Sequence, residues 1–143
     1  MVCSNQPTQA NVHLNDDAVE QVESFIYLGA SCSSTNDTSK EIRRRLAIAR
    51  SKFIDAQNLL KDRSLTTKIK ARLVSALIFP IAIYGCEAWT IKKADAKRIA
   101  AFEMWCYRRL LRITWKDKKT NVSVINTIAP KARLMSIVRK LKL

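Results

Sequence analysis

Glycine and proline are scarce, with two Gly and three Pro in 143 residues. An all-β sandwich or barrel needs turn residues roughly every 8 to 12 positions, so that class is disfavoured and long helices are expected. Histidine occurs once, at His13, and the four cysteines, Cys3, Cys32, Cys86 and Cys106, form no Cys-x-x-Cys pair. A zinc site takes four well-placed ligands, and this spacing does not supply them; neither a metal nor a cofactor is expected. Residues 1–9 show no basic segment leading into an apolar run, so no secretion signal is expected. The most apolar stretch, residues 73–89, is interrupted by Pro80, Gly85 and Glu87, whereas a membrane span takes about 20 apolar residues. The expectation is an intracellular protein, in nucleus or cytoplasm.

Lys and Arg are also missing from the first 39 residues, which hold five acids: Asp16, Asp17, Glu20, Glu23 and Asp37. All 26 basic residues therefore fall from Lys40 onward, against the remaining seven of twelve acids, an excess of 19 positive charges. A solvated charged face is the ordinary reason for such runs. Here the excess is one-sided, and like charges crowded together repel unless a polyanion neutralises them; the pattern is that of a phosphate-binding surface. The hydrophobic content of 48% is enough for a core in a chain of single-domain length.

Along the chain, residues 1–9 read as a loose tail. Val12 and Leu14, then Val19 and Val22, predict two short strands around an Asn15-Asp16-Asp17 turn. A further strand is expected over residues 24–28, ending at Gly29, followed by a loop over residues 30–39 where small polar residues crowd together. From Ser39, the expected N-cap, the period becomes helical: Ile42, Leu46, Ala49, Phe53, Ala56 and Leu60 lie on one stripe of a helix running to about Lys61. Arg43, Arg44, Arg50 and Lys61 fall off that stripe, as do Arg45 and Lys52 in part. A second helix from Thr66 carries Ile69, Leu73, Ala76, Leu77, Ile81 and Tyr84, should kink between Ala76 and Pro80, and can end at Gly85. A third begins near Lys92 or Lys93 after the cap candidate Thr90, buries Ile99, Phe102, Cys106, Leu110 and Ile113, and stops around Thr114. A short helix over residues 121–128 and a last one over residues 131–143, opened by Pro130, complete a mainly α fold. The prediction is a bundle of three longer and two shorter helices with a small N-terminal β-hairpin. The final helix shows no C-cap signal and ends in mid-pattern, as a truncated element would.

Candidates for chemistry are few. Asp16-Asp17 invites comparison with the carboxylate pair of a two-metal site, which sits in an apolar hairpin with another Asp on a neighbouring strand, but these residues follow Asn15 and read as a turn. His13 has no neighbouring nucleophile motif. Cys86 and Cys106, in apolar surroundings, are expected to be buried thiols. Phosphate recognition has more behind it: Arg43, Arg44, Arg45, Arg50, Lys68, Lys70, Arg72, Arg98, Arg108, Arg109 and Arg112 are donors on helices whose apolar stripes would hold them in place. Arg prevails over Lys on the first and third helices, and the guanidinium fork contacts two phosphate oxygens at once. Trp89, Trp105, Tyr107 and Trp115 alternate with these bases. They offer stacking platforms, although an aromatic at helical spacing is more often core, the reading preferred for Trp89 and Trp105.

Several strings resemble the region after the catalytic palm in reverse transcriptases of non-LTR, LINE-type retrotransposons, particularly the jockey and RTE-like group. They are Phe25-Ile26-Tyr27-Leu28-Gly29; Glu41-Ile42-Arg43-Arg44-Arg45 with Ala47 and Ala49; Pro80 and Tyr84-Gly85-Cys86-Glu87-Ala88-Trp89; Phe102-Glu103-Met104-Trp105-Cys106 with Arg108-Arg109-Leu110-Leu111; and Thr120-Asn121 before Val124. The resemblance covers about residues 10–143. It implies that residues 10–30 are a hairpin remnant of the palm, with Phe25, Tyr27, Leu28 and Gly29 near the primer terminus. Residues 40–115 would be a thumb-like bundle gripping template and primer, and residues 116–143 the start of a C-terminal extension. The palm segment with the catalytic aspartates and the endonuclease of that family have no counterpart here, so no polymerase activity is expected. The implied partners are an RNA–DNA hybrid or another duplex, and the missing palm of a parent polymerase.

Three other readings compete with this one. A sequence-specific DNA-binding protein could use the second or third helix for recognition, but the Asp62-Arg63-Ser64 turn lacks the glycine frequent in helix-turn-helix units. A decayed element could have left a product with only an interaction role, and a separate palm fragment could restore polymerase activity in trans.

Overall fold

The computed structural model describes residues 12–14, 17–34 and 37–142. Helix α1, Thr38–Asp55, is capped by Asp37, whose side chain accepts from the Ser39 amide at 3.4 Å. The cap is thus two residues earlier than Ser39, and the reason is chemical: Asp is at least as good an N-cap as Ser, while the Ser39 hydroxyl donates to Asp95 Oδ2 at 2.7 Å. Ile42, Ala49 and Phe53 turn into the core from α1, with Leu46 half-buried. The helix breaks at Ala56 and resumes as α2, Gln57–Lys61, which adds Leu60 to the same core.

The second predicted helix is also split. Thr66 caps α3, Thr67–Leu73, by accepting from the Ile69 amide. A single π-helical turn, Val74–Ile78, follows, in which the Phe79 amide donates to the Val74 carbonyl five residues back, and α4, Phe79–Ala82, completes the element. Pro80 has no amide hydrogen and its ring crowds the carbonyl four residues earlier. The wider turn accommodates it at the expected kink. Gly85, at φ 73°, ends the element in the left-handed region where glycine is cheap.

The buried stripe of this element differs from the predicted one. Ala71, Val74, Ile78, Phe79, Ala82 and Ile83 are buried, whereas Ile69, Leu77 and Tyr84 are exposed and Leu73 and Ile81 only half-buried. Both faces are apolar, so periodicity alone could not choose between them, and the π turn then shifts the phase.

Helix α5, Lys93–Leu110, begins after Lys92, with Thr90 outside the cap position. The Thr90 carbonyl instead accepts from the Thr38 hydroxyl. Ile99, Phe102, Cys106 and Leu110 are buried and Ile113 is half-buried, as the spacing predicts. The helix stops at Leu110, short of Thr114, because Arg112 takes φ 55° and reverses the chain. Thr114 and Asp117 then form a capping box around a 3-10 turn, Trp115–Asp117. Helix α6, Asn121–Ile128, keeps its predicted bounds. Helix α7, Leu134–Leu141, starts three residues after the expected Lys131. Its N-cap Arg133 makes no side-chain cap, and the acceptor comes from α5, where the buried Glu103 takes the Leu134 amide at 3.0 Å and Arg133 Nε at 2.9 Å. Helices α6 and α7 pack on α5, which also meets α1 and α3, so α5 lies at the centre of the bundle. Trp89, Cys86 and Cys106 are buried in its core.

The β structure is two separate hairpins where one was expected. Strands β1, His13–Leu14, and β2, Asp17–Ala18, pair antiparallel, and Val19 and Val22 lie beyond them. Asn15, Asp16 and the tail over residues 1–9 fall outside the described residues. Strand β3, Ser24–Tyr27, pairs with β4, Ala30–Ser33, within the segment read as a loop. Pairing drives β4, whose small polar side chains carry no strand signal of their own. The turn Leu28-Gly29 has φ 47° and 78°, both left-handed, as a two-residue type I′ hairpin requires.

Candidate nucleic-acid interface

Strand β3 is exposed along its length, and Phe25 and Tyr27 lie side by side with ring centroids 6.3 Å apart. At the tip, Leu28 is 75% exposed. A left-handed leucine costs roughly 1–2 kcal/mol, and three side chains hold the turn against that cost. Tyr84 donates its hydroxyl to the Leu28 carbonyl at 3.0 Å, and the Nη2 atoms of Arg44 and Arg45 both donate to the Gly29 carbonyl. Glu41 organises the clamp by accepting from Arg44 Nε at 2.7 Å and Arg45 Nε at 2.9 Å. Burial works to raise the Glu41 pKa, but the bonds from Arg44 and Arg45 outweigh it and hold the carboxyl below its ordinary value. Thus Phe25, Tyr27, Leu28 and Gly29 form one presented tip, while Arg44 and the buried Arg45 face inward to hold it.

The other predicted cations divide by partner. Arg43 is exposed and donates to the Ser39 carbonyl of its own helix. Arg98 pairs with the buried Asp95 at 2.6 Å. For Asp95, burial favours protonation, but the Ser39 hydroxyl and Arg98 together keep the carboxyl below its ordinary value. Arg108 ties the end of α5 to the Lys119 carbonyl and Asn121 Oδ1, and Arg112 donates to the Lys61 carbonyl at 3.0 Å. Arg50 and Arg109 converge on Trp105, their guanidinium carbons 4.9 and 5.3 Å from its ring centroid. That ring is half-buried against Phe53 and Phe102. Lys68, Lys70 and Arg72 lie on α3 and form no ion pair among the described residues; Lys70 only adds a weak field at Asp62. Trp115, 84% exposed, and Lys116 stand beyond α5.

Ion pairs among the described residues engage Arg44, Arg45, Lys52, Lys92, Arg98 and Arg133. Among the described residues six bases are thereby matched with carboxylates, and the other Lys and Arg side chains form no ion pair there. The structure brings Arg50, Arg109 and Arg112 together at one end of the bundle and places Arg44 and Arg45 at the hairpin. Sequence reasoning missed the anchoring roles of Glu41 and Tyr84 and the place of Lys61 beside Arg112. For Glu41 a signal existed, since it precedes Arg44 and Arg45 by three and four residues, the spacings at which helical side chains meet.

No protein-family model matches the chain, and no solved structure is significantly similar to it. A stretch of 101 residues, 71% of the chain, is 32% identical to an uncharacterised transposon-derived protein of Caenorhabditis elegans. The chain covers 36% of that relative's length. A transposable-element origin agrees with this similarity. No helix among the described residues is long and apolar enough to cross a membrane.

Proposed function

We propose that this chain is a thumb-like, nucleic-acid-binding segment of a non-LTR retrotransposon reverse transcriptase, one that holds duplex through its phosphates and carries no catalytic aspartates of its own. The observation that carries this reading is the charge: all the bases fall from Lys40 onward, and among the described residues six of them form ion pairs with carboxylates. The similarity to a transposon-derived protein supports the element origin, and the motif resemblance supports the finer assignment. Residues 10–30 would be the palm remnant, 40–115 the thumb and 116–143 the beginning of an extension. Work on nucleic acid places the protein in nucleus or cytoplasm.

The missing palm is the second proposed partner. Strand β3 pairs only with β4 among the described residues, and its outward Phe25, Ile26 and Tyr27 give an apolar edge suited to another strand. The test is binding of the full chain to a labelled RNA–DNA hybrid at low salt, with competition by a duplex of unrelated sequence. Micromolar or tighter binding displaced equally by either sequence is expected. Binding confined to one sequence would point to a recognition-helix protein, and no binding would overturn the proposal.

A further inference from the structure

The C-terminal ends of α2 and α5 enclose a groove of about 490 Å3. Phe53, Leu60 and Leu110 give it an apolar floor, and Lys61, Arg109 and Arg112 give it a cationic rim. Among the described residues no carboxylate lines it. Asp117, next to the lining residue Thr114, is occupied in accepting from the Thr114 amide at 2.6 Å and hydroxyl at 2.9 Å.

The rim is built. Arg112 has a left-handed backbone at φ 55°, a conformation a non-glycine residue holds only where surrounding contacts enforce it. Its Nη2 bonds the Lys61 carbonyl and so ties the end of α5 to the end of α2. Arg109 rests on the Trp105 ring rather than on a carboxylate, which leaves its charge available to a ligand. A purely apolar ligand would gain nothing from three cations, and a bare phosphate would leave the floor unused. An anion joined to a flat apolar body satisfies both, and the volume lies within the roughly 300–1,000 Å3 of small-molecule sites.

We infer that this groove takes a single unpaired nucleotide of a bound strand, the base over the apolar floor and its phosphate among Lys61, Arg109 and Arg112. The inference rests on the nucleic-acid reading above and deepens it: a base stacked inside a duplex cannot enter, so the site selects an overhanging or extruded end.

The test compares three probes on the full chain: a blunt RNA–DNA hybrid, the same hybrid with a short single-stranded overhang at either end in turn, and that overhang with abasic sites that keep its phosphates. The base-bearing overhang should bind about tenfold tighter than the abasic one at one of the two ends, in the range of base stacking on protein surfaces. The double variant Lys61→Gln/Arg112→Gln, checked for retained helicity, should lose most of that preference, with affinity for the base-bearing overhang falling further than affinity for the blunt hybrid. Equal binding of base-bearing and abasic overhangs, with the blunt hybrid bound, overturns the inference and leaves the duplex grip standing. A preference unaffected by the double variant also overturns it, because the base is then held elsewhere. Failure to bind any of the three removes both readings.

Discussion

The Arg45 guanidinium lies 4.3 Å from the centroid of the Tyr84 ring while its Nη2 donates to the Gly29 carbonyl. A residue that the sequence offers as a phosphate contact is therefore a tie between α1, the turn that follows α4 and the hairpin tip. Breaking a buried ion pair from one side costs about 3–5 kcal/mol. Arg45→Ala should lose about that much in urea unfolding, whereas the exposed Arg43→Ala should change stability by about 0.5 kcal/mol or less. Equal effects would deny Arg45 its structural role.

Replacing Lys68, Lys70 and Arg72 together by Ala leaves the core untouched, since all three side chains lie off the buried stripe of Ala71 and Val74. Stability should hold within about 1 kcal/mol. Affinity for an RNA–DNA hybrid should fall by a similar factor for unrelated sequences, as loss of phosphate contacts requires. An unchanged dissociation constant would remove α3 from the interface.

Glu103, only 1% exposed, holds the start of α7 through the Leu134 amide and Arg133. Glu103→Gln keeps one acceptor but loses the charge that Arg133 faces. A loss of about 1.5–3 kcal/mol is expected, with amide exchange in Leu134–Leu141 accelerated before that in α1. Exchange that rises uniformly over the chain would show that Glu103 supports the fold generally rather than anchoring α7.

Acid should destabilise the fold through Glu41 and Asp95. Burial acts to raise both pKa values, yet their arginine and hydroxyl partners hold them below the ordinary 4.5 and 3.8. For a carboxyl whose pKa is depressed by folding, the stabilisation is complete above the unfolded value and disappears as pH falls through the folded one. Denaturation midpoints should therefore be level above about pH 5.5 and decline below about pH 4.5. A Glu41→Gln variant should flatten part of that decline; the same slope in both proteins would assign the acid sensitivity to other groups.

The stripe of α1 was legible because Ile42, Ala49 and Phe53 stand among Arg43, Arg44, Arg50 and Lys52, whereas that of α5 was legible only in part, since Met104 and Tyr107 are buried beside Ile99, Phe102 and Cys106. The helix through Pro80 was not, because Ile69 and Leu77 compete with Val74 and Ile78 for the core and the π turn resets the phase. Strand β4 escaped notice because register with β3, not the side chains of Ser31 and Ser33, creates it. The candidate interface was legible as charge but not as geometry. Sequence spacing places Arg44 and Arg45 on a helix surface, and only the fold brings the Gly29 carbonyl against them and pairs Lys61 with Arg112.

The most direct test is the salt dependence of hybrid affinity for the unmodified chain. Each phosphate neutralised on duplex releases counterions and adds about 0.9 to the magnitude of the slope of log K against log salt. A slope of roughly −3 or steeper, the same for unrelated sequences, is the predicted result. A slope near zero would contradict a phosphate-directed grip by these helices.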